Sequence, residues 1–181
     1  MRTRWAIATA SALALSVLTL ARPLPFGLDH ADASEAGASC PATAKPANLN
    51  FTLKDINNQA VRLASLKGKV ILLDFWATWC GPCKVEIPWF IEFQNKYGKD
   101  GLQVVGISVD DPLDKLKPFV SQMKMNYTVL QGLDHEDVKD AFGPIFGLPV
   151  TLVISRDGKI CTRHIGLRPK QEFENSIKAL L

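Results

Sequence analysis

Ile71-Leu72-Leu73-Asp74-Phe75-Trp76-Ala77-Thr78-Trp79-Cys80-Gly81-Pro82-Cys83-Lys84 sets the fold of this chain. Val70 to Trp76 is a nearly continuous apolar run of strand length, the pattern of a strand buried on both faces. Past Trp79, the Cys80-Gly81-Pro82-Cys83 turn leads into a helix reaching about Tyr97. Ile87, Phe90 and Ile91 give that helix one apolar face, and Pro88 is expected to kink it. Gly98 to Gly101 ends the unit.

The pattern continues outward. Leu102 to Val109 is a second buried strand, and the segment after Asp110-Asp111-Pro112 has helical character to about Lys124. Strand, helix, strand, helix in this order predict parallel pairing in a layered α/β fold. Tyr127 to Leu130 is then a short strand and Glu136 to Phe142 a short helix. Val150 to Ser155 and Lys159 to Ile165 form a hairpin around Asp157-Gly158. Phe173, Ile177, Leu180 and Leu181 fall on one face of a closing helix. Before the first buried strand, Leu49 to Leu53 is extended and Asn57-Asn58 is a turn.

At 181 residues, 47% hydrophobic and 22% charged, the chain holds one ordinary domain plus an appendage, with core enough to fold without metal or disulfide staples. A net charge of +3 is too mild to suggest a nucleic-acid partner. The amino terminus has the form of an address: Arg2 and Arg4 precede an uncharged run from Ala6 to Ala21. Sixteen such residues span about 24 Å against a hydrocarbon core of roughly 30 Å, so an anchor here would have to be thin. Cleavage after Ala21 or after Ala31-Asp32-Ala33, and retention as a membrane anchor, both remain open. Residues 1–33 are thus a signal peptide or anchor, 34–48 a linker rich in Pro, Ala, Ser and Gly, and 49–181 the folded domain. Either fate places the domain outside the cytoplasm.

Two cysteines two residues apart at a strand-to-helix junction can close a small disulfide. The first sits at the helix amino terminus, where the dipole and free N–H groups stabilise a thiolate. Cys80 is therefore the expected attacking sulfur, and Cys83, inside the first turn, the resolving one. Pro82 suits the first helical turn and removes an N–H that would be unpaired there. Half of a zinc site is the competing structural explanation, but no second Cys or His pair has ligand spacing. His30, His135 and His164 share none either, so no metal or cofactor is expected.

The quoted segment resembles the active-site strand and turn of thioredoxin. Lys67-Gly68-Lys69, Cys83-Lys84-Val85-Glu86-Ile87-Pro88 and Gly147-Leu148-Pro149-Val150-Thr151 resemble more narrowly the extracytoplasmic TlpA/ResA-like branch. The likeness covers about Leu49 to Leu181. It implies a thioredoxin fold, a central mixed β-sheet flanked by helices, with an amino-terminal extension and a central helical insert. It also implies that Asp74 is a buried proton acceptor for Cys83 with a raised pKa, where the alternative is a strand-edge carboxylate facing water. Glu86, three residues beyond Cys83, either tunes the cysteines or meets substrate, or is a surface residue favoured by the helix dipole. Pro149 is placed opposite the cysteines as a cis proline whose neighbouring backbone pairs with a substrate strand, and Trp79 covers the same groove.

Similar proteins reduce the cysteines of apocytochrome c or of oxidase copper sites. The resemblance therefore implies a thiol-disulfide oxidoreductase with protein substrates carrying cysteine pairs and a membrane thiol protein as electron donor. Gly-Pro between the cysteines matches reducing thioredoxins, near −270 mV on a scale that runs to about −120 mV for strong oxidants, roughly 7 kcal/mol apart. In thioredoxin a Lys stands near the buried Asp; the strand Leu102 to Val109 has none. A peroxidase would need Pro, three residues, Thr or Ser, two residues, then Cys, but counting back from Cys80 gives Ala77 and Leu73. A copper chaperone, the alternative from another class, would prefer wider cysteine spacing and a ligand His. Cys40 and Cys161 are open to two fates, a second disulfide or free thiols.

Overall fold

The computed structural model describes residues 40–181. Its strands are β1 Thr52–Lys54, β2 Ala60–Arg62, β3 Val70–Trp76, β4 Leu102–Ser108, β5 Thr128–Gln131, β6 Val150–Ile154 and β7 Ile160–Ile165. Its helices are α1 Gly81–Tyr97, α2 Leu113–Gln122, α3 Glu136–Ala141 and α4 Lys170–Lys178. The five-stranded sheet has the order β5-β4-β3-β6-β7, while β1 and β2 form a separate antiparallel pair. Strand β3 pairs in parallel with β4 and antiparallel with β6, so the sheet is mixed. All seven residues of β3 are buried, as its unbroken apolar run requires of a central strand.

Side-chain parity assigns the layers. Asp74 of β3 pairs with Thr151 of β6, which pairs with His164 of β7, so all three point to one face. His164 packs on Phe173 of α4 with ring centroids 4.5 Å apart, and Phe173 meets Phe90 of α1 at 5.4 Å. Trp76, two residues beyond Asp74 and therefore on the same face, lies 5.4 Å from Phe119 of α2. Helices α1, α2 and α4 thus cover one face. The opposite face carries Phe75 against Phe142, just past α3, and Phe142 against Phe51 of the amino-terminal segment.

One expectation needs correction. The stretch expected to be a linker is docked from residue 40 onward: Ala47 N–H donates to Gly158 O at 2.8 Å and Ile160 N–H to Lys45 O at 2.9 Å. Cys40 is joined to Cys161, and these bonds put the start of the folded part before Leu49. Main-chain pairing leaves no mark in a Pro- and Ala-rich composition, which explains the misplacement. Strand β2, three residues long and partly exposed, also went unforeseen. The expected signal or anchor, residues 1–33, lies outside the described residues; among those described, no helix is long and apolar enough to cross a membrane.

Candidate active site

Cys80 is the N-cap of α1, with extended backbone, and its Sγ accepts the Cys83 N–H at 3.2 Å. Pro82 stands in the first turn, where its missing N–H leaves no carbonyl unpaired. Cys80 and Cys83 are joined as a disulfide with Cα atoms 5.3 Å apart. Cys80 is 3% exposed and Cys83 fully buried, so the difference in access has the expected sign but is narrow in this oxidised form.

The loop from β3 to the cysteines is held by a residue whose role the sequence did not disclose. Asp111 accepts hydrogen bonds from Thr78 N–H at 2.7 Å, Thr78 Oγ1 at 2.5 Å and Ser108 Oγ at 2.6 Å. Its neighbour Asp110 accepts the indole N–H of Trp79 at 3.0 Å, steering a ring that remains 64% exposed. The available signal was positional: Asp110 and Asp111 follow the carboxyl end of β4, beside the carboxyl end of β3, where open α/β sheets gather their sites.

Asp74 is fully buried in mid-strand rather than at a wet strand edge. Thr151 Oγ1 donates to its Oδ1 at 3.1 Å, and Oδ2 has no partner. Burial pushes its pKa up to about 7, partly opposed by the Thr151 bond. Glu86 is not a surface residue of α1; it is buried too, with Oε1 accepting the Arg168 N–H at 3.4 Å and Oε2 unpartnered. Burial, then the nearby charge of Asp74, raises its pKa to about 8. The structure therefore brings a second carboxylate near Asp74.

The Leu148–Pro149 peptide is cis. Val150 pairs with Phe75, which places Pro149 opposite the end of β3 from which the cysteine loop emerges. Pro149 O accepts the Gly166 N–H at 2.9 Å. Phe146, Ile165 and Leu167 flank this turn as exposed apolar side chains, with Phe146 96% exposed. Ile165 ends β7, whereas sequence patterning missed Phe146 and Leu167 because a loop residue carries no periodicity.

A helix-capping cysteine disulfide on a thioredoxin fold, beside a cis proline and backed by buried carboxylates, defines a thiol-disulfide oxidoreductase. The profile of the AhpC/TSA family matches residues 44–163, and the chain belongs to that family. It is 31% identical over 132 residues to the thiol-disulfide oxidoreductase ResA of Bacillus thuringiensis strain Al Hakam, covering 72% of this chain and 75% of the relative. It is 33% identical to ResA of Bacillus subtilis strain 168 over 61% of each chain. A solved thiol:disulfide interchange protein of the thioredoxin family from Chlorobium tepidum TLS superposes with a TM-score of 0.70 at 30% identity, over 77% of this chain and 98% of that one. The alternative of a copper chaperone gains no support: the relatives are named for disulfide exchange, and among the described residues no three His, Cys, Asp or Glu side chains group as metal ligands.

Proposed function

We propose that this protein reduces disulfides of client proteins outside the cytoplasm, with Cys80 as attacking and Cys83 as resolving sulfur. The observation that carries the assignment of roles is the position of Cys80 Sγ at the α1 amino terminus, accepting the Cys83 N–H, while Cys83 is sealed beneath it. The Cys80 thiolate attacks one client sulfur; an S–S bond breaks, the other client sulfur leaves as thiolate and takes up a proton. Asp74 then accepts the Cys83 proton, Cys83 attacks Cys80 Sγ, the client–Cys80 S–S bond breaks, and the second client sulfur departs as thiolate and takes up a proton. Two electrons have moved to the client and the Cys80–Cys83 disulfide remains, the state seen here. Glu86, coupled to Asp74, sets how readily that proton is taken.

Trp79, Pro149 and Pro82 line the approach, and an extended client segment pairs with the backbone beside Pro149. The Gly-Pro dipeptide supports the reducing direction, and the arginine-led apolar run at the amino terminus supports export, as a periplasmic soluble form or one anchored in the inner membrane. A membrane thiol protein resupplies the electrons. Clients of cytochrome c maturation or of copper-site assembly fit such a donor.

The test is a thiol-disulfide titration combined with trapping. A midpoint near −270 mV, about that of reducing thioredoxins, is expected, and one near −120 mV, about that of strong oxidants, would overturn the direction. Cys83→Ser should accumulate the client mixed disulfide and Cys80→Ser should form none. Equal trapping by the two variants would refute the roles.

A further inference from the structure

Four buried side-chain atoms among the described residues lack a hydrogen-bond partner: Asp74 Oδ2, Trp76 Nε1, Glu86 Oε2 and Tyr127 OH. They are two acceptors and two donors, and the fold gathers them. Thr128 pairs with Val105 in the parallel β4–β5 ladder, so Tyr127 stands beside Val104, on the face that carries Leu72, Asp74 and Trp76. The strand position between Asp74 and β5 is Gly106. A Cβ added there would lie 2.7 Å from Trp76 Nε1 and 3.4 Å from the Tyr127 ring. The indole and the phenol ring therefore fill the gap that this glycine leaves beside Asp74.

Among the described residues, no ion pair involves Asp74 or Glu86. From α1 come Glu86 and the two cysteines, from β6 the Thr151 hydroxyl, and from the segment before α4 the Arg168 N–H. His164 of β7 is turned to Phe173 and Ser176 of α4. From α2, Phe119 packs on Trp76, and the Lys84 ammonium of α1 lies 5.9 Å from the centroid of the Phe119 ring. The shifts of Asp74 and Glu86 owe nothing to an ammonium or guanidinium. Burial, then the charges of Asp74 and Glu86, hold the Tyr127 phenol well above its ordinary pKa, in its neutral donor form.

An unmet polar group in a dry interior is costly, and a buried site with three or four polar partners suits one water. We infer that Tyr127 is a positioning residue of the redox site: through one shared buried water its phenol donates to the Asp74–Glu86 pair and stabilises the pair once it has lost its first proton. Trp76 Nε1 is the second donor to the same water. The consequence for turnover rests on Asp74 being the proton acceptor of Cys83; the hydrogen bond itself does not.

Side-chain carboxyl ¹³C NMR titration of the oxidised full chain tests it, with the Asp74 and Glu86 signals assigned through Asp74→Asn and Glu86→Gln. Tyr127→Phe keeps the ring and removes the donor, so the midpoint of first proton loss should rise by about one pH unit, a tenfold change in the equilibrium. A midpoint within about 0.2 unit of the parent would overturn the inference, because a purely packing role does not move it. Tyr97 is the only other tyrosine, so 3-fluorotyrosine incorporated into Tyr97→Phe provides a route without loss of the ring. The more acidic phenol should lower the midpoint, and no movement would again overturn the inference. If Asp74→Asn leaves the pH profile of the reductase rate in place while Tyr127→Phe moves the NMR midpoint, the acceptor role of Asp74 falls and the donor stands.

Discussion

Asp74 and Asp111 are two buried aspartates beside the same cysteine loop, and their partners separate their roles. Asp111 receives three hydrogen bonds and tethers Thr78 to the end of β4, the satisfied state of a structural carboxylate. Asp74 receives one and keeps an oxygen unmatched, so burial disfavours its charged form and its pKa is raised. Replacing Asp111 by Ala strands the Thr78 and Ser108 donors and frees the loop that carries Trp79 and Cys80. The expected loss is about 3 kcal/mol in denaturant unfolding, with kcat/KM for a disulfide substrate down about tenfold and the pH midpoint of the rate unchanged. A shift of that midpoint would show that Asp111 also acts on proton transfer.

At the scale of elements, β3 and α1 were legible because period, length and the Cys-Gly-Pro-Cys turn all point the same way. The depth of Glu86 was not: i, i+3 spacing gives a direction on the helix, while its burial and its Arg168 N–H partner, 82 residues on, come from the tertiary fold. The docking of residues 40–47 was equally hidden, since it uses backbone groups and one cysteine 121 positions from its partner. Cys161 is the extra residue where the β6–β7 register shifts between Val153 and Ile154, and such a bulge re-aims a side chain, here toward Cys40. This bulge adjoins Ile154, which pairs with Ile71 at the far end of β3 and lies five strand residues, roughly 17 Å, from Pro149. The two disulfides are therefore separate in space. Cys40→Ser with Cys161→Ser should release the tether, lowering stability by up to about 4 kcal/mol and deprotecting the Ala47 and Ile160 amides in hydrogen exchange. The midpoint potential of Cys80–Cys83 should stay within about 10 mV of the parent; a larger change would mean that the two disulfides communicate.

For the whole molecule, the buried carboxylates make folding stability depend on pH. The Asp74 carboxyl has a pKa of about 7 in the fold against an ordinary 3.8, and Glu86 about 8 against 4.5. An acid whose pKa is raised by folding binds its proton more tightly in the native state. Below pH 3.8 both states hold the Asp74 proton and nothing is lost. Between 3.8 and about 7 the unfolded chain has released it while the native one has not, so stability falls as pH rises, and above that range the loss is constant. Asn at position 74 cannot ionise and can still accept from Thr151. The Asp74→Asn chain should therefore gain on the parent as pH rises, by nothing near pH 4 and by up to ~4 kcal/mol at pH 8, with the increment accruing between those values. Parallel urea unfolding of the two proteins at pH 4, 6 and 8 measures the gap. A gap that is constant with pH would mean that Asp74 titrates in the fold as it does in water, and its fitness as a proton acceptor for Cys83 would go with it. A gap that opens as described places the Asp74 titration near neutral pH, the range that the proposed transfer of the Cys83 proton requires.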